Sequence, residues 1–434
     1  MQTSLRGIAN KARREKKHRF RNLTCLLTES NLYYCLKQLR KNAATGVDRV
    51  TFSEYERDFN QTVHELVKSL KNGSYRAKLV LRKWIPKGKD KLRPLGIPAM
   101  EDKLLQQAVS YILSSVFEGD FLKYSHGYRP NRGARQAVIG LQEEFYKGRY
   151  RYVVEADIKG FFDNIDHDWM VRMLEHRIED KRFIRLIKKW LKAGILEKDG
   201  KVVHPASGTP QGGIVSPILA NVYLHFVLDL WFEKVVKKQA KGMTHLCRYA
   251  DDFICAFEYE ADADRFYSML AKRLNKFNLT LSEEKTRVLK FSRFPDSAGS
   301  SFDFLGFEYR WAESRKGKRI IKLRTSRKKL RQSVARFRDW CRTHRSVPIK
   351  RLLKTLNKKL RGYYNYYGVI GNYQSLNNFF RQALIIFKKW MNRRSQRKSF
   401  NNKRFYAMLK RNRIERPRIT QIRTRQNRLQ FSAS

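Results

Sequence analysis

Apolar residues recur at helical spacing along much of the chain. Within residues 53–71 they return every three or four positions, which predicts an amphipathic helix that ends at Asn72 and Gly73. The same spacing predicts further helices over 30–41, 101–117, 217–236, 261–277 and 375–391. Together these segments carry enough apolar surface for the cores of more than one domain.

Shorter apolar runs bounded by turn residues predict strands between the helices. Residues 79–97 are typical of a hairpin that turns at 87–90, and residues 302–309 are typical of a second hairpin. From about residue 311 the chain becomes more basic, and its apolar residues keep helical spacing. We therefore expect a mixed region of strands and helices followed by a helical region.

Three acidic residues lie where predicted strands end. A Val-Val run leads to Asp157, and apolar residues enter and leave an Ala-Asp-Asp corner that carries Asp251 and Asp252. Adjacent carboxylates repel each other unless a cation lies between them, and Mg²⁺ prefers hard oxygen ligands. Carboxylates from separate strands can hold two such ions in a phosphoryl transfer. An isolated Asp-Asp pair is more often a solvated turn, so the upstream acid is what favours a metal site.

The order of three motifs identifies a family. Asp157 is followed by Ile-Lys-Gly-Phe-Phe, residues 208–213 are Gly-Thr-Pro-Gln-Gly-Gly, and residues 249–252 are Tyr-Ala-Asp-Asp. In this order the chain resembles a reverse transcriptase, and its C-terminal part is similar to the maturase region of group II intron-encoded proteins. The resemblance implies an α+β right-hand polymerase, with fingers, a palm built on an antiparallel sheet, and an α-helical thumb.

The resemblance also implies roles for individual residues. Asp157, Asp251 and Asp252 would be catalytic ligands of two Mg²⁺ ions. The finger motif over 85–98 and the palm motifs would supply contacts to the incoming dNTP, from Lys87, Arg93, Ile158, Phe162 and Gln211. The ring of Phe162 would clash with a ribose 2′-OH and so select deoxynucleotides; the alternative is that the ring belongs to the core. Lys285 is a candidate general acid for the leaving pyrophosphate, with a surface lysine as the equal alternative.

Charge points to a polyanionic partner. The 434 residues contain 93 Lys and Arg against 40 Asp and Glu, a formal net charge of +53. Aromatic residues make up 13% of the chain, and no apolar run approaches the roughly 20 residues of a membrane-spanning helix. Five scattered cysteines form no Cys-x-x-Cys pair, which argues against a disulfide framework or a cysteine-based zinc site.

A strongly basic stretch lies near the C-terminus. Residues 388–434 contain sixteen Lys and Arg and a single acid, Glu415, so this segment is expected to lie against phosphates. By resemblance to the maturase region, the candidate RNA-binding residues are Arg361, Tyr363, Arg393, Arg394, Arg397 and Lys398. We expect no nuclease domain after the thumb, because no cluster of Cys and His follows it.

The sequence predicts five consecutive parts. They are a basic N-terminal extension that is either a helical arm or a disordered tail, fingers, a palm with the catalytic site, a helical thumb or maturase domain, and a basic tail, over 1–27, 28–150, 151–310, 311–400 and 401–434.

The predicted function is RNA-directed DNA synthesis together with binding of a group II intron RNA, to assist its splicing and mobility by target-primed reverse transcription. The partners would be that RNA, an RNA template with a DNA primer or target DNA, and dNTPs, with no membrane. Two alternatives stay open: a domesticated reverse transcriptase in defence or repair, and a maturase that only assists splicing. We expect a cytoplasmic, nucleoid-associated bacterial protein rather than an organellar one; the sequence does not indicate its oligomeric state.

Overall fold

A computed structural model of the protein describes residues 1–86, 92–293, 300–314, 316–394 and 400–422. The described helices, in chain order, are α1 Gln2–Arg14, α2 Glu29–Gln38, α3 Phe52–Arg57, α4 Phe59–Lys71, α5 Met100–Phe117, α6 Ala134–Lys147, α7 His167–Glu175, α8 Lys181–Leu191, α9 Ser216–Leu224, α10 Lys237–Gln239, α11 Glu260–Asn275, α12 Arg327–Thr343, α13 Ile349–Tyr367, α14 Tyr373–Met391 and α15 Asn402–Arg411. None of these helices is long and apolar enough to cross a membrane.

The strands of the described residues are short and form four sheets. In chain order they are β1 Val80–Pro86, β2 Leu92–Ile97, β3 Ser125–His126, β4 Tyr152–Ala156, β5 Ile158–Lys159, β6 Ile195–Leu196, β7 Val202–Val203, β8 Thr244–Tyr249, β9 Asp252–Phe257, β10 Thr280–Leu281, β11 Arg287–Lys290, β12 Ser301–Phe304, β13 Phe307–Glu313 and β14 Arg319–Thr325.

The chain divides into two compact units. The first comprises Met1–Gly133, Val154–Cys255 and Ala261–Val288, and the second comprises Ala134–Val153, Ala256–Glu260 and Leu289–Ser434. The five-part division made from the sequence stays a prediction.

The first unit is built around α5 and two sheets, and it also contains the strands β3 and β8 of a third sheet. The residues of α5 at the centre of this core, Leu104, Leu105, Ala108, Val109 and Ile112, are fully buried, and both α1 and α2 pack against this helix. The sheet orders are β2-β1-β6-β7, β10-β5 and β11-β4-β9-β8-β3. In the last sheet, β3 runs parallel to β8, with Ser125 opposite Arg248 and His126 opposite Tyr249.

The second unit is mainly helical. The long helices α12, α13 and α14 share one apolar core with α15, in which Leu356, Leu360 and Leu376 are fully buried. An antiparallel sheet of β12, β13 and β14 belongs to the same unit. The expectation of helix from about residue 311 is therefore wrong as far as Thr325, because β13 continues to Glu313 and pairs with β14.

Two predicted helices differ in detail from those observed. The helix predicted over 53–71 is two helices that meet at Asp58, a residue type whose side chain competes with the helical backbone and favours helix ends. The helix predicted over 217–236 begins as α9 and continues with π-helical turns at His225–Asp229 and Phe232–Val236. The basic N-terminal extension is helical over α1, which agrees with the helical alternative.

Candidate active site

The Ala-Asp-Asp corner is a tight turn between two strands, as the sequence predicts. Strand β8 ends at Tyr249 and β9 begins at Asp252, so Ala250 and Asp251 form the connection. Ala250 has a φ of 54°, in the left-handed region that costs a residue with a Cβ free energy. Its amide donates a hydrogen bond of 3.0 Å to the carbonyl of His126 in β3. The turn is therefore tied to the neighbouring strand.

Asp157 lies between β4 and β5, at the end of the predicted strand. Its carbonyl accepts a 2.8 Å hydrogen bond from the amide of Ser282, next to the pairing of β5 with β10. This connection brings Lys285 to the acid, and the Lys285 ammonium donates a hydrogen bond to the Asp157 carboxylate. Two segments far apart in the sequence thus meet at one carboxylate.

One cleft in the first unit collects most of the predicted site residues. Its volume is about 680 Å³. The predicted residues that line it are Arg93, Asp157, Ile158, Phe162, Gln211, Asp251 and Lys285. A second cleft in this unit, of about 790 Å³, is lined by residues from 21–30, 67–71 and 179–182 and holds none of them.

The charges in the cleft are arranged around the Lys285 ammonium. Its hydrogen bond to Asp157 is the main cause that raises the pKa of Lys285, and the negative charges of Asp157, Asp252 and Asp251 raise it further. The ammonium of Lys285 thus interacts with all three predicted ligands. Carboxylates that attract this cation are also the hard oxygen donors that a metal ion such as Mg²⁺ prefers. Within the described ranges, however, no three His, Cys, Asp or Glu side chains form a ready-made metal cluster.

The predicted nucleotide contacts come from three elements. Arg93 is in β2, opposite Ile85 of β1. Phe162 is half-buried and its ring meets that of Phe161 edge-on at 5.3 Å, while Phe161 belongs to the core. The side chain of Ile158 is buried, although the residue lines the cleft.

Lys87, also predicted to bind the nucleotide, lies outside the described residues.

The glycine-rich loop over 208–213 lies directly against the hairpin formed by β1 and β2. The amide of Gly96 in β2 donates a 2.7 Å hydrogen bond to the carbonyl of Gln211. Gly212 has a φ of +119°, and a Cβ there would lie 2.6 Å from the Gly96 carbonyl oxygen, so only glycine fits. The Gln211 side chain in turn donates a 3.1 Å hydrogen bond to the Asp163 carboxylate. The loop therefore fixes Gln211 at the edge of the cleft.

The predicted RNA-binding residues that are described lie in the second unit. Arg361 is exposed and forms an ion pair with Glu415 at 2.7 Å. Tyr363 stacks on Phe379, with ring centroids 3.8 Å apart, so its ring contributes to the helical core. Arg393 is exposed beside the ring of Trp390.

Arg394, also predicted to bind RNA, is half-buried. The other two, Arg397 and Lys398, lie outside the described residues. The role of this set in RNA binding stays a prediction.

The sequence analysis missed the residues that surround the catalytic turn. Arg248, fully buried, lies two residues before Ala250, and its signal in the sequence was an arginine between Cys247 and Tyr249 in a predicted strand. Tyr128 follows a glycine that contacts Ala250, has a φ of 53° and is half exposed. Burial raises the pKa of Tyr128, and the charge of Asp251 raises it further. Nothing in the sequence spacing indicated that this tyrosine lies near the acids.

Comparison with known proteins defines the class. The profile of the family described as reverse transcriptase (RNA-dependent DNA polymerase) matches residues 85–309, just over half of the chain and all of the cleft. The chain belongs to this family, which confirms the family and the α+β fold predicted from the sequence.

Its relatives place it more narrowly, among group II intron-encoded proteins. Group II intron-encoded protein LtrA of Lactococcus lactis subsp. cremoris is 31% identical over 445 residues, covering 83% of this chain and 72% of LtrA. Protein YkfC of Escherichia coli (strain K12) is 30% identical over 323 residues, 67% of this chain and 82% of YkfC. Nuclear intron maturase 4, mitochondrial, of Arabidopsis thaliana is 24% identical over 152 residues, 34% of this chain and 18% of the maturase.

Proposed function

We propose that the protein extends a primer 3′-OH on an RNA template by a two-metal mechanism, in the cleft that Asp157 and Asp251 line. The observation that carries the proposal is that two carboxylates from distant segments line one cleft with Arg93, Phe162 and Gln211. A polymerase needs negative charge for its metal ions, positive charge for the triphosphate and an apolar surface for the sugar. These residue types all line the cleft.

Asp157, Asp251 and Asp252 would hold two Mg²⁺ ions. When bound, these ions supply activation of the 3′-OH and neutralisation of the charge that develops on the leaving pyrophosphate. Arg93 would bind the triphosphate through its planar, bidentate guanidinium. Lys285 would donate a proton to the pyrophosphate, for which its position beside Asp157 is suitable.

Primer extension on an RNA template tests the polymerase proposal. With Mg²⁺ and dNTPs the wild-type protein should make DNA, and Asp251→Asn should abolish synthesis while leaving primer-template binding nearly intact, because it removes a metal ligand and not a phosphate contact. The matched control is Asp199→Asn, an exposed acid in the same unit. A wild-type protein that is silent while splicing of a bound intron proceeds would favour the splicing-only alternative.

We further propose that the second unit binds the group II intron RNA. Between residue 316 and the C-terminus the only acids are Asp339 and Glu415, and each is paired with arginine, Asp339 with Arg342 and Glu415 with Arg361. The exposed basic side chains of α12 and α13 therefore meet few competing carboxylates and suit a phosphate backbone. The predicted cytoplasmic, nucleoid-associated location would follow from such partners.

Sequencing the RNA that copurifies with the protein tests the RNA-binding proposal. Enrichment of one intron RNA, flanking or containing the coding sequence, is the expected result. Recovery of unrelated RNAs in proportion to their abundance would contradict intron binding and favour the defence or repair alternative.

A further inference from the structure

All three nitrogens of the buried Arg248 guanidinium donate hydrogen bonds. It carries five N–H donors, and the first unit supplies five acceptor contacts. Nε and Nη2 bind the two carboxylate oxygens of Asp229 at 2.7 and 2.6 Å. Nη2 also donates to the Ser125 hydroxyl at 2.6 Å, and Nη1 donates to the Asn221 side-chain oxygen at 3.1 Å and to the Ala250 carbonyl at 3.0 Å. Lysine, with three donors and no fork, cannot reproduce this pattern.

The last of these contacts reaches the catalytic turn itself. Two hydrogen bonds fix the left-handed backbone of Ala250. Its amide donates to the His126 carbonyl, and its carbonyl accepts from the Arg248 guanidinium. Because this conformation costs a residue with a Cβ free energy, it persists only where neighbours fix it. Arg248 is therefore bonded to the peptide that precedes Asp251.

The same network ties the turn to the loop after β3. The Asn221 amide nitrogen donates a 2.9 Å hydrogen bond to the Gly127 carbonyl, while its oxygen accepts from Arg248. Gly127 has a φ of +84°, and a Cβ there would lie 2.9 Å from the Ala250 nitrogen. The loop and the turn thus pack backbone to backbone, with Asn221 bridging them.

Asp229 supplies the counter-charge from an unusual helical segment. It is the last residue of the π-helical turn His225–Asp229, and π turns are rare and often found at functional sites. Burial alone would raise the pKa of the Asp229 carboxyl, but the charge and hydrogen bonds of Arg248 outweigh burial and lower it to about 2. Both the Arg248 guanidinium and the Asp229 carboxylate are therefore charged. A buried ion pair is tolerated only when the two groups are in close contact and their remaining polar atoms are hydrogen-bonded.

We propose that Arg248, with Asp229 and Asn221, is a positioning residue that fixes the Ala250-Asp251 peptide, and through it the carboxylates, for nucleotide addition. The inference rests on the proposed polymerase function. It adds that the rate of the chemical step depends on a buried arginine that touches neither the nucleotide nor the primer.

The test compares Arg248→Lys with Arg177→Lys. Arg177 is also buried in the first unit, where it pairs with Asp120 at 2.9 Å and donates to the Ala12 and Lys16 carbonyls, away from the cleft. Single-turnover primer extension, primer-template affinity, the Mg²⁺ concentration for half-maximal rate and the melting temperature are measured for each. An error of about 1 Å in a reacting group lowers a rate about 100-fold.

We expect Arg248→Lys to slow the single-turnover rate about 100-fold and to raise the Mg²⁺ requirement, with primer-template affinity unchanged. Arg177→Lys should lower the melting temperature by a similar amount yet keep the wild-type rate. If Arg248→Lys slows the reaction no more than Arg177→Lys does, the inference is overturned.

Asn221→Ala decides the question if Arg248→Lys does not fold. It keeps the Arg248–Asp229 pair and removes the two contacts of the Asn221 side chain, to Arg248 and to the Gly127 carbonyl, so the rate should fall about 10-fold. A wild-type rate for Asn221→Ala would overturn the inference while leaving the polymerase proposal intact. A wild-type protein that makes no DNA overturns both, and Asp251→Asn then shows no further loss.

Discussion

Lys285 donates a hydrogen bond to the carboxylate of Asp157, although 128 positions separate the two residues in the chain. The contact forms because β10 pairs with β5 and the chain after β10 turns back towards the acid. A lysine in this position can hold the carboxylates together and can also reach a leaving group. The contact is compatible with both interpretations of Lys285, a general acid or a surface lysine, and a rate measurement decides between them.

Replacing Lys285 by alanine should slow nucleotide addition about 100-fold, because general acids contribute about 10²- to 10⁴-fold to a rate. The measurement is single-turnover extension with saturating dNTP and Mg²⁺. Lys276→Ala, an exposed lysine of the same unit, is the control and should behave as wild type. Equal rates for the two variants would leave Lys285 as a surface residue.

The sequence indicated two acids that the fold brings together. Asp157 and Asp251 each follow a predicted strand, and both line one cleft, while their role as metal ligands stays a prediction. The sequence did not predict the Arg248–Asp229 ion pair. Local spacing does not show that an arginine in a strand and an acid in an apolar helix are in contact in the fold. The break at Asp58 and the strand β14 were missed for a related reason, since local spacing does not reveal tertiary pairing.

Replacing Phe162 by alanine should admit ribonucleotides. If the ring lies under the sugar, its removal opens space for a 2′-OH, and the preference for dNTP over NTP should fall about 10- to 100-fold. The ratio of kcat/KM for the two substrates measures this preference. Phe226→Ala, another half-buried phenylalanine of the first unit, should leave the ratio unchanged. An unaltered ratio in Phe162→Ala would assign that ring to the core.

His126 should make the first unit sensitive to acid. Burial, helped by the positive charges of Arg132, Arg129 and Arg248, lowers the pKa of His126 from 6.5 to about 4. The unfolded chain binds a proton below pH 6.5 that the folded protein takes up only near pH 4. Stability is therefore full above pH 6.5 and is lost as the pH falls towards 4, by at most about 3 kcal/mol.

Urea unfolding at pH 7 and at pH 4.5 measures this loss. In His126→Gln the difference between the two pH values should shrink by most of that amount, because the variant has no group to protonate there. His204→Gln replaces an exposed histidine of the same unit and should keep the wild-type difference. An identical pH dependence in both variants would show that other groups cause the acid sensitivity.

Neutralising the basic residues after α14 should weaken RNA binding in a salt-dependent way. Replacing Arg393, Arg394, Arg397 and Lys398 by glutamine removes phosphate contacts, so affinity should fall and the slope of log Kd against log salt should decrease by about 1 per lost contact.

The control replaces four lysines of the first unit by glutamine, Lys234, Lys237, Lys238 and Lys241. Because electrostatic binding acts through released counterions, a weaker Kd with an unchanged slope would point to misfolding rather than to lost phosphate contacts. A decrease of equal size in both variants would mean that charge acts without regard to position, and the second unit would lose its assignment as the RNA-binding surface.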